Sequence, residues 1–358
     1  PTNHGFDEFF GNLYHLNAED EPEHPNYPKD PEFKKMFGPR GVIHSYSDGK
    51  IQDTGPLTKK RMETVDEEFL GAALKFIDKS HEAGKPFFVW FNATRMHVWT
   101  RLKPESDGVT GQGLYADGLV EHDGHVGQLL EKLDQLGIAD NTIVMYSTDN
   151  GAELALWPDG GYTPYKGEKN SSWEGGYRVP MMVRWPAQIE SGQISNEIIA
   201  MMDWLPTLMA AAGNDNIIEE LKNGKRVGGN SYKVHLDGHN FLPYFLGKEK
   251  KGPRTEFIYS SDTGDVVAIR DGDYKMLFRE QTAHGFDVWR NPYKDLRLPK
   301  VFNLRMDPFE RMDVEGAGYN QWAAEHLFLV APAMYKVAKF KATFEEFPQR
   351  QKPGSFVP

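Results

Sequence analysis

The run Thr142-Ile-Val-Met-Tyr-Ser-Thr-Asp-Asn-Gly-Ala152 carries apolar residues straight into a carboxylate, an amide and a glycine. One carboxylate and one amide carbonyl side by side are hard oxygen donors, suited to calcium or magnesium rather than zinc. Asp149 and Asn150 are therefore candidate metal ligands. Asp-Asn-Gly is equally good turn chemistry, so the pair by itself leaves both readings open. The stretch from Ile143 to Tyr146 reads as a strand covered on both faces. In open α/β sheets, ligands collect where such strands end and the loops diverge.

The elements that must position this strand end follow from periodicity. Between Leu57 and Ala83 the apolar residues Met62, Val65, Phe69, Ala73, Phe76 and Ile77 recur at three- and four-residue spacing, an amphipathic helix stopped by Gly84 and Pro86. Phe87 to Phe91 reads as a buried strand running into Asn92-Ala-Thr-Arg-Met-His97. Tyr115 to Gly137 is a second helix, with Leu119, Val126, Leu129, Leu130, Leu133 and Leu136 on one stripe. The stretch from Ser195 to Gly213 holds a third, with Met201, Leu205, Leu208 and Met209 inward. The polar segment from Gly247 to Arg254, broken by Gly252-Pro253, marks a boundary. Beyond it, 257–261, 266–270, 274–278 and 301–304 are short strands, followed by a helix near 333–344.

This pattern predicts an α/β fold: a mainly parallel sheet flanked by helices, with 87–91, 142–148 and 180–185 as neighbouring strands. A smaller C-terminal antiparallel α+β subdomain completes it. The expected division is 1–250 and 251–358. The first sixty residues are Pro-, Gly- and acid-rich loops, with a hairpin closed at Asp48-Gly49. His15, His24 and His44 within them read as ordinary solvent-facing or hydrogen-bonding residues.

The chain has 358 residues, a net charge of −11 and no cysteine. Thiolate chemistry, disulfides and Cys-ligated metals are thereby excluded, and no basic run suits a nucleic-acid partner. No apolar stretch reaches the roughly 18 residues that span a bilayer.

After the strand end come Thr163-Pro-Tyr-Lys-Gly-Glu-Lys-Asn-Ser-Ser-Trp-Glu-Gly-Gly-Tyr-Arg-Val-Pro180 and the apolar run from Met181 to Trp185. Here the chain resembles the sulfatase family, the arylsulfatase branch of the alkaline phosphatase superfamily. That family ends a strand in Ser-Asp-Asn-Gly and follows it with Gly-x-Lys and Glu-Gly-Gly-x-Arg-x-Pro. Both blocks stand here in order, with Thr148 in the serine position. Gly5-Phe-Asp-Glu-Phe-Phe-Gly11, Lys85-Pro-Phe-Phe-Val-Trp90 leading to His97, Asp203-Trp-Leu-Pro-Thr207 and Asn303-Leu-Arg-Met-Asp-Pro-Phe-Glu310 extend the resemblance over nearly the whole chain.

The resemblance implies a sulfuric ester hydrolase. It implies Asp149 and Asn150 as metal ligands (calcium before magnesium), His97 as the acid that protonates the leaving group, and Lys169 on the sulfate. Lys166 is the rival lysine. The family follows its histidine with a proline two residues on, where this chain has Trp99. Glu174-Gly-Gly176 is expected to supply close backbone approach and positive φ, Arg178 to pair with Glu174, and Asp203 to pack. His122-Asp-Gly-His125 puts two imidazoles on one helix face, but within this family a structural helix is the preferred reading; His235-Leu-Asp-Gly-His239 reads as an Asp-Gly turn.

Family members place a paired-aspartate motif and a Cys/Ser-x-Pro-x-Arg signature, the source of a formylglycine nucleophile, upstream of the Gly-Phe-Asp block. The chain opens at Pro1-Thr-Asn-His and contains neither. It therefore resembles the C-terminal portion of a sulfatase, expected to be inactive alone and to have the N-terminal portion of the same protein as partner. A small-molecule or carbohydrate sulfate ester is the expected substrate, with no nucleic acid, no membrane span, and a periplasmic or secreted setting. A phosphodiesterase or phosphonate monoester hydrolase of the same superfamily, or an inactive sulfatase-like fragment, is the alternative.

Overall fold

A computed structural model describes residues 1–350. The chain forms two compact units. Pro1–Thr142 with Leu156–Gly160 make the first; Ile143–Ala155 and the residues from Gly161 on make the second.

In the first unit, strands β1 (Glu8–Asn12), β2 (Val42–Tyr46) and β3 (Ile51–Asp53) form an antiparallel sheet in that order. The β2–β3 hairpin turns at the expected Asp48-Gly49: Gly49 takes φ 88, open to glycine without a Cβ penalty, and Asp48 Oδ1 accepts from the Lys50 amide at 2.9 Å. Helix α1 (Val65–Glu82) packs Val65 and Phe69 into a core with Leu16, Val42, Leu57 and Met62. Its first turn is acidic, Asp66-Glu67-Glu68, as the positive helix N-terminus favours. Helix α2 (Leu114–Gln135) follows. Its buried face differs from the predicted stripe. Leu119 is 42% exposed, while Asp117, Gly118, His125 and Leu133 are buried, because polar groups with partners occupy positions that apolarity alone assigned elsewhere.

Residues 87–91 keep the strand-like alternation, with Phe88 and Trp90 exposed between half-buried neighbours, but have no ladder partner among the described residues. The buried strand expected here is not found: Phe88 and Trp90 are 57% and 68% exposed, and an apolar run does not specify which neighbours would pair with it.

In the second unit, β4 (Val144–Ser147) pairs with β5 (Met181–Arg184). The two are neighbours as predicted, but the ladder is antiparallel, with Val144 opposite Arg184 and Ser147 opposite Met181. All ladders among the described residues are antiparallel. Apolar runs without alternation suggested parallel strands buried on both faces; here Met145 is 37% and Met182 59% exposed. Helix α3 (Trp204–Ala211) buries Trp204, Pro206 and Thr207, while Met201 and Leu205, predicted inward, are exposed. A segment apolar all round does not reveal its inner face.

The C-terminal antiparallel sheet is as expected. Strands β6 (Glu256–Ser260), β7 (Val266–Asp271), β8 (Tyr274–Glu280) and β9 (Lys294–Asn303) lie in the order β9-β8-β7-β6. One face buries Ile269, Met276 and Val301 against Ala333 of α4 (Val330–Glu346). The other packs Tyr259, Val267, Leu277 and Phe302 on Trp173 of the loop that carries Lys169. The candidate site loop is thus mounted on a rigid sheet. No helix among the described residues is long and apolar enough to cross a membrane.

Candidate active site

In the second unit, the chain leaves β4 at Ser147 and runs into Asp149, Asn150 and Gly151. The Gly151 amide donates to Gly176 O (3.0 Å), the Lys169 amide to Ala152 O (2.9 Å) and the Gly175 amide to Lys166 O (2.7 Å). These bonds lay the lysine loop against the strand end. The approach requires glycine: a Cβ on Gly151 would stand 1.8 Å from Gly175 O, and one on Gly175 2.5 Å from Gly167 O. Close approach is the reason for Gly175 and Gly176; neither takes the positive φ predicted for them, which falls instead at Gly167 (φ 78) and Asn170 (φ 62). Asparagine tolerates that region through local hydrogen bonding.

Asn150 donates through Nδ2 to Gly151 O at 2.8 Å, which commits the amide nitrogen and leaves the carbonyl oxygen as the donor atom. Asp149 is exposed, touched by the Thr148 hydroxyl at 3.4 Å. An oriented amide oxygen beside an uncommitted carboxylate fits part of a hard-cation shell, which needs six or more oxygens.

The half-buried Lys169 ammonium pairs with Glu153 at 2.9 Å and lies 5.9 Å above the Trp289 ring. The loop is held from beneath by Glu168, buried, which accepts from the Leu154 amide (3.1 Å) and the Gly285 amide (2.8 Å). Lys166 pairs with another acid: its ammonium bonds both Asp313 oxygens (3.0 and 3.1 Å) and sits 3.7 Å above Trp173.

Arg178 pairs with Glu174 at 2.6 Å, as predicted. Glu174 is the hub of a buried cluster: it also accepts from Tyr259 Oη (2.6 Å) and Lys275 Nζ (3.1 Å), while Lys275 reaches Glu310 at 2.7 Å. Burial alone raises the Glu174 pKa; Lys275, Tyr259 and Arg178 outweigh it and hold the group at about 2. Asp203, fully buried, binds Arg254 in fork fashion (2.6 and 2.9 Å) and accepts from the Ala200 and His239 amides, a structural role as predicted.

In the first unit, His97 is half-buried and its ring stacks on that of His15, with centroids 5.4 Å apart at 15°. Its Nδ1 lies 2.9 Å from Val98 O. A carbonyl only accepts, so Nδ1 carries the proton and Nε2 is the nitrogen available for exchange. The loop is fixed by Asp66, which accepts from the Thr94 and Arg95 amides at 2.9 and 3.3 Å. Trp99 has φ 66. Proline is locked near −65°, so the loop here takes a path its proline-bearing counterparts do not. Sequence reading missed Glu153 and gave His15 no role; neither lies in a motif, and each is recognised by its contact alone. His44, by contrast, is an ordinary hydrogen-bonding residue, 2.6 Å from Glu8.

Comparison with known proteins agrees with this architecture. The sulfatase family model matches residues 1–214. N-acetylgalactosamine-6-sulfatase of Canis lupus familiaris is 28% identical over 349 residues, covering 88% of this chain and 59% of the relative. Arylsulfatase A of Bos taurus is 30% identical over 288 residues, covering 77% of this chain and 53% of the relative. The crystal structure of the PsFucS1 sulfatase from Pseudoalteromonas sp. superimposes with TM-score 0.80 at 26% identity, covering 98% of this chain and 69% of that one. The chain belongs to the sulfatase family. It spans just under three-fifths of the length of the N-acetylgalactosamine-6-sulfatase.

Proposed function

We propose that the protein carrying this chain hydrolyses sulfate esters of small molecules or carbohydrates in a periplasmic or secreted setting. What supports the reading is the Lys169 amide bonded to Ala152 O, which fixes the loop bearing Lys169 against the strand end bearing Asp149 and Asn150. Asp149 and the Asn150 amide oxygen would hold a divalent cation, calcium before magnesium, with ligands from outside the 358 residues completing the shell. Such an ion, when bound, polarises sulfate oxygens and orients the nucleophile.

Lys169 places positive charge on the sulfuryl oxygens, and Glu153 limits where its flexible stem can carry that charge. His97, with Nδ1 anchored on Val98 O, delivers a proton from Nε2 to the departing oxygen. The nucleophile is a formylglycine expected outside this chain, so these residues without it are expected to show no turnover.

The test is turnover of nitrophenyl sulfate by the protein carrying this chain. Chelation should abolish it and calcium restore it, Asp149→Ala should raise the calcium needed, and Lys169→Ala should lower kcat/KM by about 10²-fold or more. Wild-type turnover and calcium dependence in both variants would remove the assignment. A preference for phosphonate or phosphodiester substrates would move the reading to the sister activities.

A further inference from the structure

Helices α1 and α2 pack together and carry, between them, three side chains for which the proposed reaction has no use. Glu67 lies in the first turn of α1. Glu121 and His125 stand four residues apart on α2, on one helix face. One ligand atom from each of the three lies within 4.8 Å of the other two.

Both carboxylates are gripped on one side. Arg95 donates to Glu121 Oε1 (Nε 3.0 Å, Nη2 2.7 Å), and Lys103 pairs with Glu67 Oε1. The second oxygens, Glu121 Oε2 and Glu67 Oε2, are buried and accept no hydrogen bond, and His125 Nδ1 is buried without a partner. The other ring nitrogen of His125, Nε2, stands 3.9 Å from Glu67 Oε1. The Glu121 and His125 side chains are each only 4% exposed. Buried polar atoms are ordinarily satisfied; each of these three clustered side chains keeps one that is not. Carboxylates held on one oxygen by a cation and free on the other match the arrangement of metal ligands oriented by outer-shell groups.

Charge points the same way. Asp66, Glu67 and Glu121 bring three negative charges against two positive ones from Arg95 and Lys103. Exchanging the Lys103 ammonium for a divalent ion makes the cluster neutral. Lys103 has somewhere to go, since it lines an open surface hollow with Arg61, Thr64 and Glu105.

We propose that Glu67, Glu121 and His125 bind a divalent transition-metal ion of zinc's class, with water completing the shell, which pins α1 to α2. One imidazole and two carboxylates suit zinc better than calcium, so this site differs in metal class, as in residues, from the Asp149–Asn150 pair. His125 thereby takes a ligand role that the structural reading of His122-Asp-Gly-His125 did not give it.

Zinc titration by calorimetry tests it, using the whole protein freed of metal by chelation and then saturated with calcium. One zinc should bind with a dissociation constant at or below about 1 μM. Glu121→Gln and His125→Gln should each weaken it by about 10²-fold, and Asp149→Ala should leave it unchanged. Lys103→Met, at a partly exposed position, should tighten zinc several-fold by removing the competing cation, a gain that damage to the fold does not mimic. Cobalt, as a probe, should give visible absorption bands that vanish with His125→Gln. Zinc binding weaker than about 1 mM, affinity indifferent to Glu121→Gln and His125→Gln, or no tightening in Lys103→Met would overturn the proposal.

Discussion

The Lys169 ammonium lies 2.9 Å from the Glu153 carboxylate, with the two side chains 22% and 20% exposed. A half-buried pair of this kind restrains a long side chain more than it adds stability. Glu153 therefore acts through Lys169. The expected outcome is a fall in kcat/KM for sulfate esters of about 10²-fold for Lys169→Ala and about three- to tenfold for Glu153→Gln. The double variant should match Lys169→Ala alone, because neighbours sharing one interaction are non-additive. Independent, multiplying losses in the double-mutant cycle would show that Glu153 does not work by positioning Lys169.

Gly151 meets the backbone, not a yielding side chain, on its open side. A methyl group there would stand 1.8 Å from Gly175 O, so Gly151→Ala must push the β4 end away from the Glu174-Gly-Gly176 turn. Overpacking of this sort costs about 1–3 kcal/mol, and it displaces Asp149 and Asn150 along with the backbone. A lowered Tm together with a raised calcium requirement is the expected pair of changes. A variant with unaltered Tm and calcium dependence would contradict the close approach.

Glu19 is 3% exposed, with Oε1 buried and unpartnered. Burial raises its pKa from 4.5 to about 7, against a smaller lowering by the Gly41 backbone hydrogen bond. The folded state thus holds this proton more tightly than the unfolded chain does. Its stabilising contribution is complete below pH 4.5 and is lost as pH climbs through about 7. Glu19→Gln should accordingly gain stability relative to wild type between those values. Thermal unfolding of both proteins at intervals across this range checks the sign, and a gap that does not change with pH would refute it.

Local signals carried much of this molecule. The helix at Val65–Glu82, within the 57–83 span that periodicity marked, the hairpin at Asp48-Gly49 and the four C-terminal strands followed from periodicity and turn chemistry. What the sequence concealed was relational. Met145 read as covered on both faces, yet lies 37% exposed in an antiparallel pair with β5. His125 fell outside the apolar stripe of α2 because it is polar, yet is 3% exposed. Glu153 and His15 have no distinguishing neighbours in sequence, and contacts with Lys169 and His97 alone reveal them.

His97 Nδ1 is spent on Val98 O, so the leaving-group proton must come from Nε2. That assignment predicts how damage depends on substrate. An alkyl sulfate departs as a strongly basic alkoxide and needs the proton; a nitrophenyl sulfate departs as a stable phenolate and needs it less. His97→Ala should lower turnover of alkyl sulfates by about 10²-fold or more and of nitrophenyl sulfate far less, steepening the dependence of rate on leaving-group pKa. Lys169 faces sulfuryl charge that every substrate shares, so Lys169→Ala should shift the whole series without changing its slope. Rates measured across a series of phenyl and alkyl sulfates separate the two roles. Parallel lines for wild type and His97→Ala would take the general-acid role from His97, whatever the size of the loss.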